Sequence, residues 1–374
     1  MDSMVSLVFY LAMFSLAVAL VYAGGKTKNK FLTFAGLAIP IVVAALRYKT
    51  GIDYSNYTNI TNLLSKMSPN DFFSSPYSSI YEPTTYFITQ IAYLLGGGDV
   101  LFFGIYAAIV MLPFYFAIKR IKPEATWIAV LLYLLIFFAP SLNGIRQYAA
   151  ISITFCATIF LYYPKVQKSR YRLVKFVAAV LIATSIHSSA ICALAIPVVY
   201  WISQKLANKT TSKLIIYHGL LIVVIFTMAY LAVKNIDSIP FLNRYSHYLG
   251  WAEEGMDINT PNLIPKIVPV LIATVFIGGL KKRDKKSVFY YTMTCIAFAT
   301  SLLGFIIPYG YRLSDYFFVF QIPLLISIVA NAKPANRKQI YMLILIAYGV
   351  VYFLYSSLLN NSHGIFPYQF IFLQ

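Results

Sequence analysis

The chain has 374 residues, 60% of them apolar and 11% charged, with 30 Lys and Arg against 12 Asp and Glu for a net charge of +18. A water-facing surface takes about 25% charged residues, so a soluble enzyme, a disordered chain and a disulfide scaffold are all excluded. What remains is an all-α, polytopic integral membrane protein, and its basic excess sits in short loops between apolar stretches, the positive-inside pattern, rather than in a nucleic-acid-binding patch.

Residues 3–22 are the first apolar stretch, preceded only by Asp2 and followed by Lys26, Lys28 and Lys30. A secretory signal peptide carries its positive charge in front, so this order reads as a start helix with its N-terminus outside. Crossing about 30 Å of hydrocarbon takes roughly 17–25 residues. Further stretches near that length lie at 31–46, 100–118, 126–140, 145–163, 174–186, 188–203, 214–233, 263–280, 287–307, 313–331 and 339–357. About twelve transmembrane helices are expected. Six basic clusters, at 26–30, 119–122, 165–175, 205–213, 281–286 and 333–338, hold 22 of the 30 Lys and Arg, and twelve crossings put all six in the cytoplasm.

Two stretches break the pattern. Thr84 to Leu95 is apolar but only 12 residues long, about 18 Å as helix, and reads as a re-entrant half-helix on the outer side. Residues 174–203 are too long for one span and must turn near the polar cluster His187, Ser188 and Ser189. Irregular backbone at membrane depth is tolerated where it lines a wet cavity. The outer loops 47–82 and 234–262 mix Tyr, Asn, Ser and acids over such a central cavity, and no repeat or linker divides residues 1–374, which read as one membrane domain. Cys156, Cys192 and Cys295 lie in apolar runs, where cysteine acts as a small hydrophobe.

Eight positive charges lie outside the cytoplasmic clusters: Arg47, Lys49, Lys66, Arg146, Lys234, Arg244, Lys266 and Arg312. Four of them are Arg, although the chain has only nine Arg in all. Arg presents a planar fork of donors matched to phosphate oxygens, and a charge at membrane depth is a functional candidate by default. Snorkelling at helix ends is the blander account of any single one. Asp315 follows Arg312 by one helical turn, so an intrahelical pair is expected there. Asp53 and Glu82 bracket the first outer loop, and either could hold Arg47 or accept a proton. His187 stands alone in an apolar stretch, where imidazole could act as a general base or as a satisfied structural histidine. His218 and His247 read as structural, and His363 falls in an exposed-looking tail. No DxD pair or His-rich spacing calls for a metal.

Arg47, Tyr48, Gly51, Asp53, Tyr54 and Tyr57 form R-Y-x-x-G-x-D-Y-x-x-Y at the start of the first outer loop, and Glu82 with Pro83 closes it. Arg146, Gln147 and Ala150 match R-Q-x-x-A, His187, Ser189 and Ala190 match H-x-S-A, and Tyr311, Arg312 and Tyr316 match Y-R-x-x-x-Y. In this order and spacing the motifs resemble the EpsG family of Wzy-like polysaccharide polymerases over roughly residues 1–330, while residues 234–262 show no matching pattern.

That resemblance implies a membrane-embedded glycosyltransferase of the lipid-dependent (GT-C-like) kind, acting without metal, nucleotide or other cofactor on the outer face of the bacterial cytoplasmic membrane. It would polymerise undecaprenyl-pyrophosphate-linked repeat units of an O-antigen, capsule or exopolysaccharide, in company with a flippase and a Wzz-like chain-length regulator. On this reading Arg47, Arg146, Arg244 and Arg312 bind pyrophosphate, and His187 is the base, with Asp53 or Glu82 as runner-up. Tyr54, Tyr57, Tyr81, Gln147, Tyr245 and Tyr311 contact the sugars. Two alternatives stay open: a flippase or transporter for the same lipid-linked repeats, and a ligase passing finished glycan to another acceptor.

Overall fold

The computed structural model describes residues 2–163, 170–235, 238, 264–306, 310–332 and 334–373. Among them every regular element is helical, and nine helical stretches are long and apolar enough to cross a membrane. These nine coincide with nine of the twelve expected. The other three are helices too, but Lys30–Ala45 and Arg172–Ile186 are only 16 and 15 residues long. The third, Ile264–Arg283, carries Lys266 near one end and three basic residues at the other. The chain packs as two compact units, residues 1–194 with 344–374, and residues 195–343.

In the first unit α1 (Ser3–Thr27) and α2 (Lys30–Ala45) form a hairpin. Lys28 takes a left-handed conformation (φ 58°) that ends α1, and Asn29 Oδ1 caps α2 by accepting the Phe31 N–H at 2.9 Å. Tyr10, Phe14, Ala17 and Val21 fall on one face of α1 and are buried, the spacing of a helix stripe. Gly36 permits the close approach of α2, since a Cβ there would meet the Ala17 carbonyl oxygen at 2.6 Å.

The stretch 47–82, expected as a loop, is instead a helical cap: α3 (Tyr54–Leu64), α4 (Pro69–Ser74) and α5 (Tyr77–Ile80). Ile60 and Leu64 lie one turn apart on α3 and bury against Phe72 and Tyr86, so the cap has its own small core. Ser68 and Asp71 close α4 with a capping box. The expected half-helix is α6 (Pro83–Leu94), of 12 residues. Gly96 and Gly98 then turn the chain at φ 73° and 48° into α7 (Gly98–Ile121). After it come α8 (Thr126–Asn143), α9 (Ile145–Ala157), α10 (Ile159–Tyr162) and α11 (Arg172–Ile186). His187 is extended, with φ −152° and ψ 117°, and a 3-10 segment, Ser188–Ala195, follows it. The helix therefore breaks at His187, within the polar cluster where a turn was expected.

The second unit holds α12 (Ile196–Leu206), α13 (Thr211–Lys234), α14 (Ile264–Arg283), α15 (Lys286–Ser301), α16 (Asp315–Phe318) and α17 (Gln321–Ala330). α15 is buried on nearly every face and forms the core of this unit. His218 is held inside it, with Nδ1 2.7 Å from the Leu214 carbonyl oxygen and Nε2 2.8 Å from Thr292 Oγ1. The structural reading of that histidine fits these contacts.

α18 (Ala335–Phe353) and a π-helical turn, Leu354–Leu359, lead into the closing segment of the first unit. This segment is not the exposed tail that residue types suggested for His363. It folds back along residues 46–52: Gln369 O accepts the Tyr48 N–H at 2.9 Å, Gly364 O the Gly51 N–H at 2.8 Å, and Leu46 O accepts the Ile371 N–H at 3.0 Å. Ile365 and Tyr368 are completely buried. Burial of those two side chains overrides the polar look of Asn360 to Gly364.

Candidate functional site

Glu82 is the hub of the site. Pro83 at the first position of α6 suits its fixed φ and keeps Glu82 extended, at φ −62° and ψ 146°. Its side chain makes no cap bond to α6 and is 12% exposed. One oxygen, Oε2, forms an ion pair with Arg146. The other, Oε1, accepts the Ser188 N–H at 2.8 Å and lies 3.5 Å from His187 Nδ1. Burial alone would raise the Glu82 carboxyl. His187, Arg146 and the Ser188 N–H outweigh it and hold the group at about 2.

Arg146 reaches Glu82 because α8 and α9 are separated by a break. Pro140 and the Asn143–Gly144 pair end α8, and Arg146 sits in the first turn of α9. Its guanidinium lies 5.2 Å from the Tyr81 ring centroid and interacts electrostatically with Tyr57. Its Nε has no hydrogen-bond partner among the described residues.

Arg47 is the second cation. It is 1% exposed, stacked 4.3 Å from the Phe103 ring centroid, and none of its three guanidinium nitrogens has a hydrogen-bond partner among the described residues. Burial pulls its pKa down to about 10, with Tyr57, Tyr10, Tyr54 and Tyr368 pushing the other way, so it stays charged at neutral pH. Arg47, Phe103, Ser141, Leu142 and Ile145 line a cavity of about 20 Å³, room for a single water. Tyr57 interacts electrostatically with both Arg47 and Arg146 and thus links the two cations.

The Arg47–Asp53 strand of chain depends on Gly51. Its φ of +100° favours glycine, and a Cβ would meet Asn143 Oδ1 at 2.7 Å. Asn143 also donates to the His363 carbonyl at 2.8 Å. Asp53 is half-buried beside this network, its backbone N–H 3.5 Å from Asn143 Oδ1.

Of the candidates named from sequence, Glu82, Arg146, His187 and Tyr57 share one cluster. Tyr54 is 7% exposed and stacked on Phe103 at 5.4 Å, so one of its ring faces is already taken by protein. Gln147 is buried on α9. Tyr311 and Arg312 lie half-buried in the second unit on a 3-10 turn, Gly310–Ser314. Asp315 accepts a hydrogen bond from Lys266 Nζ at 2.8 Å. Arg244 and Tyr245 lie outside the described residues. Sequence reasoning missed Phe103, Asn143 and the Ser188 N–H. The Asn143–Gly144 dipeptide marks a turn and pointed to the second of these, whereas Phe103 was one aromatic among many. Among the described residues no group of three His, Cys, Asp or Glu could hold a metal ion.

The model of a known family matches residues 29–370 of the chain. The chain belongs to the EpsG family. EpsG proteins are associated with polysaccharide-polymerase-type, glycosyltransferase-like activity in membranes, and the nine apolar helices here suit a multi-pass membrane protein. No curated protein and no solved structure matches the chain.

Proposed function

We propose that this EpsG protein polymerises undecaprenyl-pyrophosphate-linked oligosaccharide repeats at the outer face of the cytoplasmic membrane, supplied by a flippase and limited by a Wzz-like regulator. The reading rests on one observation: Glu82 gathers Arg146, His187 and the Ser188 N–H, with a second buried guanidinium, Arg47, one tyrosine away and without a hydrogen-bond partner among the described residues. An acceptor-sugar hydroxyl attacks the donor's anomeric carbon, the bond from that carbon to pyrophosphate breaks, and negative charge grows on the leaving lipid pyrophosphate. Prearranged cations in a water-poor site stabilise such charge, the task assigned to Arg146 and Arg47; phosphate binding is proposed for Arg312 and Arg244 as well. Arg47 has donors to spare for phosphate oxygens.

The hydroxyl proton goes to His187. Glu82 engages Nδ1, so Nε2 is assigned the proton, and a carboxylate held at about 2 suits orienting an imidazole better than acting as the base itself. Asp53 is the runner-up base. Tyr57, Tyr81, Tyr245 and Tyr311 are assigned the sugar faces, and Tyr54 a place behind Phe103.

The test uses lipid-linked repeats extracted from cells lacking the protein and the purified protein in detergent micelles, where transport has no meaning. Wild type should join repeats into a ladder, and His187→Ala, Arg146→Ala and Arg47→Ala should leave single repeats. Full-length ladders from all three variants, or no joining by wild type, would defeat the proposal.

A further inference from the structure

Lys266 is a buried and fully engaged charge in the second unit. It lies in the first turn of α14 and is 3% exposed. An ammonium has three donors, and Nζ here meets three acceptors: Asp315 Oδ1 at 2.8 Å, the Tyr311 carbonyl at 3.3 Å, and Ser314 Oγ in a short contact. Ser314 Oγ in turn donates to the Tyr311 carbonyl at 2.5 Å. The rings of Phe318 and Tyr311 stand 5.3 and 5.5 Å from the same nitrogen. One cation from α14 therefore closes the turn Gly310–Ser314 from its second residue to the first residue of α16.

A short 3-10 turn has poor hydrogen-bond geometry of its own. A buried ion pair, moreover, is weak as a source of stability, because well-packed apolar residues often replace it at no loss. What such a pair supplies is a defined geometry, and the geometry supplied here is that of the two motif residues on the turn. We infer that Lys266 is a positioning residue, its ammonium fixing the turn that presents Tyr311 and Arg312 to the lipid pyrophosphate. The inference rests on the role given to Arg312 under the proposed function.

The probe is undecaprenyl pyrophosphate itself, titrated into the purified full-length protein in nanodiscs, with thermal unfolding recorded in parallel. Lys266→Met paired with Asp315→Leu removes both charges at once and avoids leaving either one buried alone. This double variant should unfold near the wild-type temperature yet bind the lipid at least about tenfold more weakly. In an Arg312→Ala background the same pair should cause no further weakening, since a residue acting through Arg312 has nothing left to position. Ser314→Ala, a smaller change to the same tether, should weaken binding about threefold and decides the matter if the double variant does not fold. Wild-type affinity in the folded double variant or in Ser314→Ala, or equal weakening with and without Arg312, overturns the positioning role. Wild-type affinity in Arg312→Ala alone removes Arg312 from the site, a failure of the earlier reading that is visible without touching Lys266, and it overturns the inference as well.

Discussion

Glu82→Gln isolates the charge at the centre of the site. In the folded chain the Glu82 carboxyl is held at about 2, against 4.5 for a free glutamate. At about 1.4 kcal/mol for each factor of ten, the ionised form gains roughly 3 kcal/mol from its surroundings. At 12% exposure the discount for solvent screening is small. The folded value lies below the unfolded one, so this stabilisation is complete above pH 4.5 and is lost as pH falls toward 2. Glutamine keeps an oxygen for the Ser188 N–H but offers Arg146 no charge. Unfolding by denaturing detergent in mixed micelles should show the variant about 2–3 kcal/mol less stable at pH 7. The gap to wild type should shrink as the wild-type carboxylate is protonated on acidification. Arg146→Met alone should cost a similar amount, and the double variant should cost at least about 1 kcal/mol less than the two together, because each single change strands the other partner. A Glu82→Gln stability within about 0.5 kcal/mol of wild type, or strictly additive variants, would refute the account of Glu82 as a coupled hub.

Arg47→Met removes an unpaired buried charge, so micelle unfolding should show stability unchanged or raised by about 1 kcal/mol while long glycan chains disappear from the cell; large destabilisation with normal chains would show a structural arginine instead. Gly51→Ala forces a side chain into a φ of +100° and against Asn143 Oδ1; the expected cost is about 1–3 kcal/mol, read from the same unfolding curves. Removing residues 361–374 strips the backbone bonds that Gln369, Gly364 and Ile371 make along residues 46–52. Hydrogen exchange at Tyr48 and Gly51 should then accelerate by at least about a hundredfold, and unchanged protection there would show that the closing segment does not hold the Arg47 loop.

Much of the site was legible in the chain because membrane proteins leave few places for charge. Subtracting the basic clusters between apolar stretches singled out Arg47 and Arg146, and a lone histidine in a stretch too long for one span singled out His187. The partnerships were harder to see. Glu82 stands 64 residues from Arg146 and 106 from Ser188, and no periodicity links positions so far apart. Asp315 likewise accepts a hydrogen bond from Lys266 on α14, 49 residues away, a partnership that no local rule of helical spacing announces. The stretch 47–82 looked like a loop because its helices are short and polar outside; its core of Ile60, Leu64, Phe72 and Tyr86 forms only when α3, α4 and α6 meet.

Composition and hydropathy by themselves determined that the chain is helical and crosses a membrane several times, since a backbone in hydrocarbon must satisfy its own hydrogen bonds and an apolar run of span length has one economical way to do so. They also indicated breaks between residues 140 and 145 and near His187, because an apolar run interrupted by polar residues, or too long for one span, has to be divided there. Only the tertiary structure decided which charge answers which: that Arg146 is neutralised by Glu82 while Arg47 is left on an aromatic face, and that the far end of the chain returns to hold the Arg47 loop. Pairing of this sort is a matter of distance through space, and it comes into being only once packing has brought remote segments to the same few ångströms.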